Sequence, residues 1–169
     1  MRCLYVDLDA TLLGAGGAVT RDGDGVFTLL GVRALEACDR ADVIVVAMSE
    51  RPREEVAADA RVLGIDDFVF EGGFVLAGEE HDLPIEATRV DAIAAHARAR
   101  GLAREECVGV GDSLDMAPAV GAFWLATDAA QDDPVLPIEL ARHPNARVTE
   151  AGHGPGVYEA VVTTLAEAR

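Results

Sequence analysis

Lysine is missing from this 169-residue chain: all 14 basic residues are arginine, set against 30 Asp and Glu. The formal net charge of −16 argues against nucleic acid or an anionic membrane surface as a partner. Any anionic ligand must be held by local positive charge, and only arginine can supply it. Aromatic residues make up just 5% of a chain that is half hydrophobic, so the core must be Val, Leu, Ile and Ala. No apolar run approaches membrane-spanning length, and the sequence enters an apolar strand at once without room for a signal peptide, so the expected location is cytoplasmic. Cysteine is sparse: Cys3, Cys38 and Cys107 are odd in number and far apart, each inside an apolar segment. They are expected to be buried free thiols in a reducing compartment. The four histidines, His81, His96, His143 and His153, lack metal-ligand spacing and read as surface or packing residues, with His153 in a Gly-rich turn that could approach a site.

What is present is an alternation of short apolar runs with helical periodicity. Cys3–Val6 reads as a strand, Leu29–Arg40 as a helix and Val43–Met48 as a strand buried on both faces. A helix follows Pro52 and ends before Gly64, with Glu54 and Glu55 in its first turn, where the helix dipole favours them. Phe68–Phe70 is a third strand with Phe74–Leu76 as a short partner. Thr88-Arg89-Val90-Asp91 predicts a capping box that places Arg89 at the first helical position, in a helix that stops at Gly101. Cys107–Val110 is the fourth strand, and a short helix to about Val120 precedes the fifth, Ala122–Ala126. Residues 128–145 are rich in Pro and Asp and read as irregular. Val148-Thr149 reads as a short edge strand, and Val157–Ala168 as a closing amphipathic helix. Between strand one and the first helix, Gly14–Gly17 and Arg21–Gly25 predict a mobile flap over about residues 12–28. Its Asp22-Gly23-Asp24-Gly25 lacks the bidentate glutamate and ligand spacing of an EF-hand. The pattern predicts one α/β domain over residues 1–169, a doubly wound, Rossmann-like parallel sheet with helices on both faces.

In such sheets ligands bind beyond the carboxyl ends of the strands. There the chain places Asp7 and Asp9 after strand one, Ser49 after strand two, and Asp112 and Asp115 after strand four. Arg89 at a helix N-terminus can face the same crevice, where backbone N–H groups also favour an anion. Carboxylates, a hydroxyl and one strong cation suit phosphoryl transfer with magnesium, which prefers oxygen ligands. One carboxylate can act as nucleophile and a second as proton donor and acceptor.

Asp7-Leu8-Asp9-Ala10-Thr11-Leu12-Leu13, Ser49, Arg89 and Gly111-Asp112-Ser113-Leu114-Asp115, in that order, resemble the four motifs of the haloacid dehalogenase (HAD)-like phosphohydrolases. The resemblance covers roughly Arg2 to Val120. It implies Asp7 as nucleophile and metal ligand, and Asp9 as general acid/base whose carbonyl also serves the metal. It further implies Thr11, Ser49 and Arg89 as phosphate-binding residues, Asp112 as a Mg²⁺ ligand, and Ser113 and Asp115 as supports. Leu63–Phe68 followed by Phe70–Gly73 is similar to the mannosyl-3-phosphoglycerate phosphatase and sugar phosphatase branch. Gly152–Val157 and Arg21–Gly25 are more similar to the octulosonate-8-phosphate phosphatases. Three positions depart from the pattern: Ala10 and Glu50 stand where Gly is usual, and Arg89 where Lys is. Arginine offers a planar fork in place of a point charge.

The residues between Ser49 and Asp112 are used up by visible strands and helices, so no cap domain is expected. The function implied is a Mg²⁺-dependent phosphatase of a small phosphorylated metabolite, such as a sugar phosphate. Alternatives are a phosphatase of a macromolecule or a catalytically degenerate HAD-like binding protein. A capless site for a small ester implies cover from a neighbouring subunit, hence a homo-oligomer, with a tetramer favoured.

Overall fold

The first apolar run becomes the central strand of the molecule. The computed structural model describes residues 1–126 and 134–168. Among them are strands β1 (Cys3–Asp7), β2 (Ile44–Met48), β3 (Asp67–Phe70), β4 (Gly73–Leu76), β5 (Glu79–Asp82), β6 (Cys107–Gly111), β7 (Ala122–Leu125) and β8 (Ala146–Val148). They form one sheet in the order β5-β4-β3-β2-β1-β6-β7-β8. Pairing is parallel from β3 through β2, β1, β6 and β7 to β8, and antiparallel in the β3–β4–β5 meander. The chain winds outward from β1 to β2 and β3, then returns to lay β6 on the other side of β1. The order therefore reverses beside β1, where open α/β sheets leave a crevice at their carboxyl edge.

The helices are α1 (Leu30–Arg40), α2 (Arg53–Leu63), α3 (Arg89–Ala99), α4 (Leu136–Leu140) and α5 (His153–Glu167). Side chains alternate across β1. Leu4 and Val6 join Ala34 and Cys38 of α1, Val56 and Ala60 of α2 and Val157 and Ala160 of α5 on one face. Cys3 and Tyr5 join Ile93 and Ala97 of α3, with Met116 and Phe123, on the other. The three cysteines are free and buried. Helices α1 and α5 meet through glycines: a Cβ on Gly154 would lie 3.1 Å from the Gly31 nitrogen, so any larger residue would push the helices apart.

Several elements differ from the sequence expectation. The closing helix begins at His153, four residues before Val157, and the Gly-rich turn expected around His153 is its largely buried first turn. Helix α4 lies in the stretch read as irregular, and residues 128–133 of that stretch fall outside the described residues. The edge strand is Ala146–Val148, and β5 was not expected at all. The flap is a hairpin closed by Ala15 N–H to the Asp22 carbonyl (2.9 Å), Asp22 N–H to the Val26 carbonyl (3.1 Å) and Thr28 N–H to the Thr20 carbonyl (3.0 Å). Asp22 Oδ1 caps the Val26 N–H at 2.8 Å. The flap leaves Val26 and Phe27 largely exposed.

A polar network crosses the second face. Asp67 at the start of β3 accepts bonds from Arg100 Nε (2.8 Å) and Nη2 (2.7 Å) and from the Ala77 N–H (3.0 Å). It also meets His96 Nε2 at 3.0 Å, while the other ring nitrogen of His96 lies 2.9 Å from the Tyr5 hydroxyl. A carboxylate can only accept, so His96 Nε2 donates to Asp67, and in the neutral ring Nδ1 then accepts from the Tyr5 hydroxyl. His96 is thus a fully buried packing residue, and His81 stacks on Phe74 at 4.8 Å. Burial opposes ionisation of Asp67, but the bonds from His96, Ala77 and Arg100 outweigh it and hold its pKa at about 2, against an ordinary 3.8. A depressed carboxyl pKa stabilises the fold above the unfolded value and loses that contribution as pH falls through the folded one. Asp67 should therefore contribute roughly 2 kcal/mol at neutral pH, lost between about pH 4 and pH 2. Urea titrations of wild type and Asp67→Asn across that window measure it: the stability gap should narrow as pH falls, and a gap independent of pH would contradict the assignment.

Candidate active site

The crevice beyond β1 and β6 gathers most of the predicted residues. Asp7 ends β1, 2% exposed, and its Oδ2 accepts a bond from Arg89 Nη1 at 2.7 Å. Arg89 reaches it because Thr88 caps α3: the Thr88 hydroxyl accepts from the Asp91 N–H, and the Asp91 carboxylate accepts from the Thr88 N–H at 2.9 Å. This box sets Arg89 as the first helical residue, aimed at the sheet edge. Arg89 Nε lies 3.3 Å from Glu50 Oε1 and 3.6 Å from Asp115 Oδ2, without a well-aligned hydrogen bond to either. Asp115 is held by the Ser113 hydroxyl at 2.8 Å.

A second group sits beside the first. Ser49 donates to Asp9 Oδ2 at 2.8 Å, and Arg51 Nε donates to the same oxygen at 3.0 Å and to Ser49 Oγ at 3.1 Å. Arg51 Nη2 is bound to Asp59 of α2 at 2.7 Å. Arg51 is not among the expected site residues, although a hydroxyl followed two residues later by arginine, directly after a buried strand, is a usable signal. Thr11 is buried with no partner for its hydroxyl, and Asp112 is exposed. Ala10, where glycine is usual in the resembling family, has φ +54° and ψ +12°. This left-handed backbone costs a non-glycine residue about 1 kcal/mol.

Burial raises the Asp7 pKa to about 6; Arg89 opposes the rise, and the charges of Asp112 and Asp115 add to it. Asp7 Oδ1 is buried without a hydrogen-bond partner. Among the described residues no three His, Cys, Asp or Glu side chains form a ligand cluster. A hard cation that takes one or two carboxylates and completes its shell with water and phosphate oxygens needs no such trio. An orphaned carboxylate oxygen with a second carboxylate close enough to be felt fits an oxygen-ligated divalent cation. A cleft of about 510 Å³ opens beside Arg89, lined by Ser49, Glu50, Asp115, the β3–β4 turn with Glu71, and the Leu83–Ala87 loop.

No family model and no curated protein matches the sequence. Solved structures do. A deoxy-D-mannose-octulosonate 8-phosphate phosphatase of Haemophilus influenzae, in a cobalt-bound form, superposes with TM-score 0.65 at 19% identity, over 99% of this chain and 88% of that one. The 3-deoxy-D-manno-octulosonate 8-phosphate phosphatase of Yersinia pestis gives 0.65 at 18% identity, over 99% and 82%. A Streptomyces avermitilis protein assigned to the HAD hydrolases gives 0.63 at 20%, over 96% and 89%. The fold is HAD-like. At these identities the likeness concerns the backbone alone. No helix among the described residues is long and apolar enough to cross a membrane.

A raised carboxyl pKa costs stability, because stability falls as pH climbs from the unfolded value to the folded one. In metal-free protein, Asp7→Asn should therefore be more stable than wild type by roughly 3 kcal/mol at about pH 8 and nearly equal to it near pH 4. Thermal melts at both pH values check this. A variant less stable at the higher pH would mean that the Arg89 contact outweighs the burial cost.

Proposed function

We propose that this chain is a Mg²⁺-dependent phosphatase of a small phosphorylated metabolite, such as a sugar phosphate, acting through an aspartyl-phosphate on Asp7. The observation that carries the reading is the buried Asp7, with one oxygen on Arg89 and the other unpartnered, at the carboxyl end of the central strand. The octulosonate 8-phosphate phosphatases among the structural neighbours support the substrate class.

In this mechanism Arg89 receives the phosphoryl oxygens with Ser49 and Thr11, and the Asp7 carboxylate attacks phosphorus. The ester P–O bond breaks, and Asp9 gives its proton to the departing oxygen. Asp9 then takes a proton from water as the water oxygen attacks the same phosphorus, breaking the bond to Asp7 and releasing phosphate. Asp7, Asp112 and the Asp9 carbonyl would hold Mg²⁺, which supplies charge neutralisation in a site otherwise crowded with carboxylates. Ser113 and Asp115 position that edge of the site. Ser49 and Arg51 both hydrogen-bond Asp9 Oδ2, which fixes the orientation of this carboxyl.

Glu50, 3.3 Å from Arg89 Nε, favours a second reading, a non-catalytic binding protein, because its carboxylate competes with phosphate for the guanidinium. Turnover of an aryl phosphate separates the two. Wild type should hydrolyse it only with Mg²⁺, Asp7→Asn should lose at least about a thousandfold, and Arg89→Ala should lose about 10- to 100-fold, with Arg89→Lys in between. An Asp7→Asn protein that turns over normally, with deamidation excluded by mass spectrometry, would end the covalent mechanism.

Among the described residues no cap covers the site, and the flap exposes Val26 (61%) and Phe27 (64%). We propose that these side chains pack on a neighbouring subunit in a homo-oligomer, with a tetramer favoured, whose flaps cover the sites. Sedimentation velocity should find an oligomer that Phe27→Asp dissociates, and a monomeric wild type with efficient turnover of a small ester would refute the requirement for cover.

A further inference from the structure

The cleft beside Arg89 also constrains the part of the substrate that is not phosphate. Among the described residues Arg89 is the only basic side chain lining it. The nearby arginines are committed: Arg51 to Asp9 and Asp59, and Arg53 Nε to Glu80 at 2.7 Å. Once Arg89 holds a phosphoryl group, no cation is left for a second anionic group on the same molecule. The acids are less committed. Glu71 has no hydrogen-bond or ion-pair partner for its carboxylate among the described residues. Glu50 leans on Arg89 at 3.3 Å and is released when phosphate takes that guanidinium. The lining of the same cleft also includes the apolar Val69, Phe70 and Leu83.

We propose that the substrate is the phosphate ester of an amine-bearing alcohol, its ammonium received by Glu50 and Glu71 and its apolar face by Val69, Phe70 and Leu83. This rests on the phosphatase reading above and narrows it. The phosphate supplies the affinity common to all esters, and the two glutamates discriminate. An ammonium is attracted, a neutral alcohol is accepted, and a carboxylate meets two like charges with no counter-ion.

Three sugar phosphates of similar size and different charge test the assignment: glucosamine 6-phosphate, glucose 6-phosphate and 6-phosphogluconate. Calorimetric titration of each into Asp7→Asn with Mg²⁺ reads binding without turnover. Glucosamine 6-phosphate should bind at least about tenfold tighter than 6-phosphogluconate, with glucose 6-phosphate between, the scale expected for one or two partly screened charges at close range. In a background also carrying Glu50→Gln and Glu71→Gln the spread should shrink to within about threefold. The proposal is overturned if 6-phosphogluconate binds as tightly as the amine, if the spread survives both substitutions, or if none of the three binds. Wild-type turnover of the neutral ester is scored separately. The charge order without turnover would sink the phosphatase reading alone, and turnover with the opposite charge order would sink this proposal alone.

Discussion

The Arg89–Asp7 contact is the point on which the sheet edge depends. A carboxylate with 2% exposure is costly to ionise, and in a chain of net charge −16 its surroundings push the same way. Arg89 does not cancel that cost, since the Asp7 pKa still stands near 6, but it fixes where the charge lies. Everything needed to bring the guanidinium to 2.7 Å is local: a Thr88–Asp91 capping box starts α3 one residue earlier, and Ile93 and Ala97 pin the helix to the second face of the sheet. The absence of lysine makes the geometry specific. A planar guanidinium offers Nη1 to Asp7 while its Nε faces Glu50 and Asp115, so one side chain links β1, the β2 loop and the β6 loop.

Where side-chain chemistry was coupled to an apolar run, it was legible in the residues. Asp7 ends one short apolar strand and Ser49 and Asp112 follow two others, and the topology delivers all three to one edge. The Arg89 position was legible because a capping box is a local motif. What escaped depends on partners distant in sequence or on patterns that mimic something else. Asp67 and His96 read as unremarkable polar residues, because their bond joins positions 29 residues apart. Glu79–Asp82 holds no apolar residue to alternate, and it is a strand only because β4 pairs with it. Gly152–Gly156 carries turn composition, yet it forms a helical turn whose small residues let α5 close on α1.

The same contrast explains Ala10. A methyl group at φ +54° is a strained choice in a turn where glycine would be relaxed, and the strain is borne by a segment anchored at both ends. Leu8 and Leu12 are fully buried on either side, and the Leu13 N–H closes back on the Leu8 carbonyl at 2.9 Å. The turn is thus determined by its hydrophobic flanks more than by its own backbone preference, which is why a residue other than glycine survives there.

The outer strand of the meander has one further consequence. β5 ends the sheet with Glu79 and Asp82 turned to water and Glu80 paired with Arg53, so negative charge guards the free backbone edge against strand addition by another copy. That guard is only as strong as its reach through the solvent. High salt screens the charges while the unpaired amides and carbonyls stay in place. The colloidal behaviour of the protein is therefore tied to ionic strength, and loss from solution can begin at this edge while the core strands are still intact.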